Sequence, residues 1–139
     1  MTDEYDLQRF LDAQEDVYED ALAMLRRGAM CTPYMDFIFP RMTGEDLASR
    51  FAIVSLDEAR ALLAFPLLGN RYRECVESLP RLVDTSPDGM FGRVDARKLQ
   101  ASLTLFAEAT NEPMMRTVLA IWFDNLADEE TLVRIGETA

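Results

Sequence analysis

Five polar residues have side chains that can bind a ligand or move a proton: Asp36, Arg71, Glu74, Lys98 and Ser102. A guanidinium, an ammonium and a hydroxyl group together suit a phosphate or carboxylate group. Arg71, Lys98 and Ser102 are therefore candidates to hold a small anion, with Asp36 or Glu74 as an acid or base. These residues predict a small anionic-ligand or enzymatic pocket as one function, although none of them is assigned a catalytic role.

Histidine is absent from all 139 residues. This excludes Ser-His-Asp and Cys-His nucleophiles, histidine acid–base catalysis and every metal site that needs imidazole. Cys31 and Cys75 are far apart in sequence, and two thiolates alone cannot complete a structural zinc site. We therefore predict no metal and no cofactor, and the sequence favours a non-enzyme without deciding the question.

The segment 84–95, "DTSPDGMFGRVD", partly matches a calcium-binding loop. The oxygen-bearing residues and the glycine that fit such a loop are Asp84, Ser86, Asp88 and Gly89. Against calcium, Pro87 is rigid at the fourth place, Gly92 has no side-chain oxygen at the ninth, and Asp95 is shorter than the usual glutamate. The segment is predicted to be a turn followed by a helix cap.

The net charge of −11 is concentrated at the two ends of the chain. Residues 1–20 contain eight acidic residues against one arginine, and residues 124–139 contain five against one, whereas residues 21–123 are balanced. This distribution disfavours nucleic-acid phosphates and anionic membranes. It favours a basic protein surface as partner, or serves solubility alone. The acidic start "MTDEYD" is unlike a signal peptide, so we expect a cytoplasmic protein.

Apolar residues recur at helical spacing nearly throughout, and no run alternates as a strand would. Residues that fit helix starts are Asp6, Thr32 with Pro33, Thr43, Ser55 with Glu58, and Asp95. Residues that fit helix ends or breaks are Gly28, Pro66, Pro80 and "NEP" at 111–113. The sequence predicts an all-α fold, with residues 1–139 as a single compact domain of six to eight short helices.

Two of the candidate residues have alternative interpretations. Asp36 lies in the apolar run "CTPYMDFIFP" at 31–40, and it is predicted at the surface or on the rim of a groove. An unpaired buried carboxylate is too costly, so the alternative is a pocket carboxylate paired with an arginine such as Arg71. Lys98 is predicted in the first turn of a helix, where its charge opposes the helix dipole. It is either a ligand-binding cation or an ion-pair partner of Asp95, Glu74 or Glu77.

Four segments together resemble one protein family: "DLQRFLDAQ" at 6–14, "FIFP" at 37–40, the run at 51–75 and the run at 91–106. It is a small bacterial all-helical domain family of unknown function, sometimes labelled calpastatin by automatic methods. The resemblance extends over about residues 6–135. It implies an all-helical single domain and no established activity.

The chain resembles a divergent member of that family, because it lacks the histidines that the family pattern contains. Pro33 and Phe65 stand at the two histidine positions, and Asp36 stands at a tryptophan position. The residues that match the pattern are Arg71, Glu74, Asp95, Lys98, Ser102, Thr104 and Phe106. A family site built on the missing groups would therefore have lost its titratable members here.

The leading prediction is a non-enzymatic binding or protein-interaction domain. It depends on the absent histidines, the absence of a metal-ligand cluster in the sequence, and the acidic ends. The alternative is the small anionic-ligand or enzymatic pocket that uses Arg71, Lys98 and Ser102. An acidic decoy for a nucleic-acid-binding protein would need an ordered double row of carboxylates, and the neutral middle of the chain disfavours it.

Overall fold

A computed structural model describes residues 3–42, 50–82 and 86–138, and its regular elements are helical. The helices are α1 Gln8–Gln14, α2 Tyr18–Arg26, α3 Thr32–Ile38, α4 Leu56–Ala64, α5 Pro66–Ser78, α6 Pro87–Ala109, α7 Met114–Phe123 and α8 Glu129–Thr138. A 3₁₀ turn, Leu79–Arg81, follows α5. The predicted all-α class with six to eight helices is confirmed. The predicted cap Thr43 and the loop residue Asp84 lie outside the described residues.

The long helix α6 is the centre of the domain, and α3, α4, α7 and α8 pack around it. Several of its side chains are fully buried, among them Leu99, Leu103 and Phe106. An aromatic series runs across the core beside this helix. Its successive ring centroids lie 6.0 Å apart for Trp122–Phe91, 6.5 Å for Phe91–Phe39, 6.1 Å for Phe39–Tyr72 and 4.3 Å for Tyr72–Phe106. These rings connect α3, α5, α6 and α7 into one core.

The backbone breaks that glycine and proline predict are confirmed. Gly28 follows α2 with a φ of +79°, a left-handed conformation that other residues adopt at a cost. Pro66 begins α5 directly after α4 ends, and Pro80 lies in the 3₁₀ turn that follows α5. The segment 111–113 separates α6 from α7. Glycine and proline act through local backbone geometry, so their tendency to end a helix does not depend on tertiary contacts.

The predicted caps are only partly correct. Leu7 occupies the N-cap position of α1, and Asp3 rather than Asp6 satisfies the helix start, because its carboxylate accepts hydrogen bonds from the backbone N–H groups of Leu7 and Gln8 at 2.8 and 2.9 Å. Asp6 instead adopts a left-handed φ of +51°. Thr32 is not a cap either, since it is the first residue of α3 and its hydroxyl donates to Asp95.

The predicted capping box at the start of α4 forms in part. The Ser55 hydroxyl accepts from the backbone N–H of Glu58 at 3.1 Å, as predicted. The Glu58 carboxylate reaches the N–H of Val54 at 3.0 Å rather than that of Ser55. Its second oxygen binds Arg9, which explains the difference, because the carboxylate is shared between the cap and an ion pair.

The segment 84–95, which partly matches a calcium-binding loop, is mainly helical over the residues that the structure describes. Ser86 caps α6 by accepting from the N–H of Gly89 at 3.0 Å, and Pro87 is the first residue of the helix. The helix is broken at Gly92, where φ is +79° and ψ is 160°. A second helical segment therefore begins after Gly92, close to the helix start that was predicted at Asp95. Asp95 lies in the first turn of this segment but does not cap it, because its Oδ2 atom accepts from the Thr32 hydroxyl instead, and Lys98 follows three residues later.

A buried ion pair attaches the N-terminal helix to the start of α4. The Arg9 guanidinium lies 2.6 Å from the Glu58 carboxylate, and the two side chains are only 11% and 3% exposed. The same guanidinium donates to the carbonyl oxygens of Arg50 and Ala52 at 2.8 and 3.0 Å, and to that of Tyr5 at 2.5 Å. Nearly every hydrogen-bonding group of this arginine is therefore used inside the domain.

Replacing Arg9 by methionine should lower the free energy of unfolding by about 3–5 kcal/mol, because it leaves the Glu58 carboxylate buried without its cation. Urea denaturation monitored by circular dichroism would measure the change. Arg26→Met is the matched control, since the exposed Arg26–Glu74 pair at 3.8 Å should contribute under about 1 kcal/mol. Equal losses in the two variants would contradict the role assigned to Arg9.

Candidate functional site

The five candidate residues lie in three separate places. Asp36 on α3 meets Lys98 on α6, Arg71 and Glu74 lie together on α5 against α2, and Ser102 lies in the core. Arg71, Lys98 and Ser102 each have a different set of polar neighbours. The structure therefore does not bring these three residues into one set of mutual contacts.

The Lys98 cluster, which consists of Thr32, Asp36, Arg41, Asp95 and Lys98, joins α3 to α6. The Lys98 ammonium lies 3.8 Å from Asp36 Oδ1 and 3.5 Å from Asp95 Oδ1. Arg41 donates to the same Asp36 oxygen at 3.0 Å, and the Thr32 hydroxyl donates to Asp95 Oδ2 at 2.7 Å. Two carboxylates face two cations, so the charges of the cluster compensate one another.

Asp36 lies within α3, and its side chain is 37% exposed. This agrees with the predicted position at the surface or on a rim. The alternative partner Arg71 is wrong, because Asp36 pairs with Arg41 and Lys98 instead. The pairing of Lys98 with Asp95 agrees with one of the ion-pair alternatives.

Asp95 is the buried member of the Lys98 cluster. Its side chain is only 6% exposed, and its Oδ1 atom accepts no hydrogen bond within the described part of the chain. The ammonium of Lys98 is the cation that faces this oxygen. Lys98 is therefore the main electrostatic compensation for a carboxylate that would otherwise be buried alone.

Arg71 and Glu74 are both engaged with Tyr18 of α2. The Tyr18 hydroxyl donates to the Glu74 carboxylate, and the Arg71 guanidinium lies over the Tyr18 ring at 4.7 Å from its centroid. Arg71 also donates to the side-chain oxygen of the buried Gln14 at 3.3 Å, and Gln14 donates to the carbonyl of Phe37 at 2.9 Å. These contacts connect α5 to the ends of α1 and α3, which is a structural role.

Cys75, next to this group, is a buried free thiol, as predicted. Burial raises its pKa to about 12, while the hydrogen bond to Tyr18 acts in the opposite direction. The thiol therefore stays protonated at neutral pH and is a poor nucleophile.

Ser102 is fully buried and hydrogen-bonded to Tyr72, with 2.9 Å between the two hydroxyl oxygens. Burial raises the pKa of Tyr72, so this phenol stays neutral. A ligand would have to open the core between α5 and α6 to reach the Ser102 hydroxyl.

A second feature, which the sequence did not predict, is a groove between α1 and α4, the α1–α4 groove. It has a volume of about 370 Å³. Its lining residues are Asp3, Glu4, Tyr5, Leu7, Gln8, Leu11, Ala61 and Phe65. Phe65 is 38% exposed although it is a large apolar residue. The groove therefore combines an apolar surface with carboxylates at one side.

The groove lies in a negative electrostatic field. Partial burial, followed by the carboxylates of Glu4, Asp57 and Glu58, raises the pKa of Tyr5. Arg9 and Arg60 are the bases that adjoin lining residues in sequence, and they are paired with Glu58 and Asp57 respectively. A cation that approaches the groove would therefore meet attraction rather than repulsion.

Two of the residues that line the groove, Asp3 and Glu4, also belong to a set of acidic residues near the N-terminus. This set, the acidic face, consists of Asp3, Glu4, Asp6, Asp12, Glu15, Asp16, Glu19 and Asp20. All eight of these residues are exposed. None of them forms an ion pair with any residue that the structure describes. The net charge of this region was visible in the sequence, but the groove was not, because it depends on how α1 meets α4.

In the described parts of the chain, every helix is too short or too polar to traverse a lipid bilayer. Within the same residues, no three side chains of histidine, cysteine, aspartate or glutamate are grouped closely enough to hold a metal ion.

The helices and their contacts define a single all-α domain in which each candidate polar group contacts other side chains of the domain. A family model described as "Protein of unknown function (DUF1810)" matches residues 4–135, so the chain belongs to this family. This confirms the resemblance to a helical family of unknown function. Among curated proteins, none matches the chain.

The fold also matches a solved structure, the conserved hypothetical protein Rv1873 from Mycobacterium tuberculosis, whose crystal structure was determined at 1.38 Å. The two sequences are 36% identical, and the TM-score is 0.92. The match covers 96% of this chain and 99% of the other. The two proteins therefore share the arrangement of the whole domain.

Replacing Tyr72 by phenylalanine should lower the free energy of unfolding by about 1–3 kcal/mol, because the buried Ser102 hydroxyl loses its partner. Adding Ser102→Ala to this variant should recover part of the loss, since both polar groups are then gone. Thermal or urea denaturation of the two single variants and the double variant would measure the coupling. Strictly additive losses would show that the two hydroxyl groups are not coupled, which would contradict the predicted role of their hydrogen bond.

Proposed function

We propose that this domain is a non-enzymatic protein-binding module whose acidic face binds a basic surface of a partner protein. The observation that carries the proposal is the acidic face itself, where eight exposed carboxylates have no ion-pair partner among the described residues. Arg9, the one base within residues 3–20, is directed into the domain. A surface of this kind attracts cations over several ångströms and accelerates association with a basic protein.

The pairing of the candidate acid–base groups supports a binding role over a catalytic one. Glu74 accepts from Tyr18, Asp36 is held by Arg41, and Asp95 is held by Thr32. A general acid or base has to be within reach of a substrate proton. Each of these groups is already engaged with a neighbouring side chain, and Asp95 is buried as well. The same face disfavours nucleic acid as a partner, because its carboxylates repel phosphate groups.

A lysine- and alanine-rich peptide of about 15 residues, labelled for fluorescence anisotropy, tests this proposal. It should bind the protein at low salt and dissociate at about 300 mM salt, where exposed charges are screened. In the combined variant Asp12→Asn, Glu15→Gln and Asp16→Asn, binding should weaken about tenfold, since three exposed charges contribute about 0.5 kcal/mol each.

The matched control neutralises three exposed carboxylates at the other acidic end, as Asp124→Asn, Glu129→Gln and Glu137→Gln. Its affinity should stay within about twofold of the wild type, because these residues belong to the α7–α8 end of the chain, where α8 packs on α6, whereas α1 packs on α3. Equal weakening in the two variants would mean that net charge alone drives binding. No binding by the wild type at low salt would overturn the proposal.

A second candidate function, a site for a small anion, is favoured by one observation in the Lys98 cluster. Arg41 and Lys98 converge on the same oxygen of Asp36, at 3.0 and 3.8 Å. Two cations that meet at one carboxylate oxygen form a position suited to an anion. In this chain Asp36 occupies that position, so a ligand carboxylate or phosphate would have to displace it.

The variant Asp36→Ala vacates this position, and it should therefore bind inorganic phosphate more tightly than the wild type. At about 100 times its dissociation constant, phosphate would add about 2.7 kcal/mol to the stability of the variant. Thermal melts with and without phosphate measure this difference. Lys98→Met in the same background should abolish it, and an unchanged midpoint in Asp36→Ala would count against an anion site.

A further inference from the structure

We infer that the α1–α4 groove is the docking site for a basic amphipathic helix of the partner protein. The apolar side chains of that helix would lie against Leu11, Ala61 and Phe65, and its cations would face Asp3 and Glu4. This inference rests on the proposed function, because it assumes that the partner is basic. It goes further in naming the site and the shape of the segment that occupies it.

The apolar part of the groove is held in place by the joint between α4 and α5. Phe65 has φ −74° and ψ 115°, the extended conformation expected of a residue before proline, and Pro66 begins α5. The joint is tight, because a Cβ atom added to Gly69 would lie 2.1 Å from the carbonyl oxygen of Leu63. The exposed ring of Phe65 is therefore presented from a constrained backbone, and the 47% exposed Leu67 follows two residues later.

The acidic side of the groove is also fixed. Asp3 accepts two backbone hydrogen bonds at the start of α1, at 2.8 and 2.9 Å, so its carboxylate is oriented. Glu4 is exposed and forms no ion pair with any described residue. Arg60, the exposed base next to the lining residue Ala61, is paired with Asp57 at 3.4 Å. The charge that complements this side is positive.

The combination of an apolar surface and an acidic side selects the kind of partner. A flat basic surface would satisfy the carboxylates but would leave Phe65 and Leu11 in water. An amphipathic helix presents apolar residues at i, i+3, i+4 and i+7 and keeps its cations on the flanks, which satisfies both parts. A volume of about 370 Å³ accommodates a few side chains rather than a whole helix, so the helix lies across the groove.

The test compares two peptides of identical leucine and lysine composition, one with the leucines at helical spacing and one scrambled. The amphipathic peptide should bind the wild type about fivefold more tightly than the scrambled peptide, because only it fills the apolar surface. Phe65→Ser should remove this difference while leaving the binding of the scrambled peptide unchanged. Leu132→Ser is the matched control, since Leu132 on α8 is 39% exposed and Phe65 is 38% exposed.

The outcomes separate this inference from the proposed function. Equal binding of the two peptides to the wild type would overturn the groove and leave a charge-driven interaction intact. Binding of neither peptide would overturn both. NMR titration of the wild type with the amphipathic peptide should shift the amide signals of Tyr5, Leu11 and Ala61. Shifts confined to α8 would overturn the groove even if Phe65→Ser failed to fold.

Discussion

Short helices place many backbone carbonyl groups inside or near a core, and each needs a hydrogen-bond donor that the helix does not supply. In this domain long polar side chains from neighbouring elements supply several of those donors. Arg9 reaches the carbonyls of Arg50 and Ala52 before α4, Arg60 reaches that of Ala109 at the end of α6, and Arg73 reaches that of Leu63 near the end of α4. The packing of the helices depends on these contacts, which explains in part why arginine dominates the basic residues.

The same constraint shapes the surface that remains for function. Arg73 forms a two-pronged pair with Glu112, at 2.6 and 2.9 Å, and this hydrogen-bonded contact lowers the pKa of Glu112. Arg9 is committed to Glu58 in the same manner. Each of these pairs uses one acid and one base, so the excess of negative charge remains on the other carboxylates of the chain. The acidic face is part of that excess, and the protein-binding proposal builds on it.

Local backbone signals predicted more of the fold than side-chain signals did. Gly28 and Pro66 marked helix boundaries correctly, since their effects do not depend on distant partners. Thr32 and Asp95 were predicted as caps, but tertiary packing joins the two side chains to each other instead. For the same reason the candidate site was only partly predictable. The helical class followed from periodicity, whereas the meeting of α3 with α6 and the groove beside Phe65 depend on packing that spacing does not encode.

Lys98 is the only lysine in the chain, so reagents that acylate side-chain amines have one ε-amino target. Among side chains such a reagent would label Lys98 alone, but it would also remove the cation that Asp36 and Asp95 share. Amine-directed dyes, cross-linkers and immobilisation chemistries therefore report on the contact between α3 and α6 while they disturb it. Attachment through the half-buried thiol of Cys31 would leave the Lys98 charge in place.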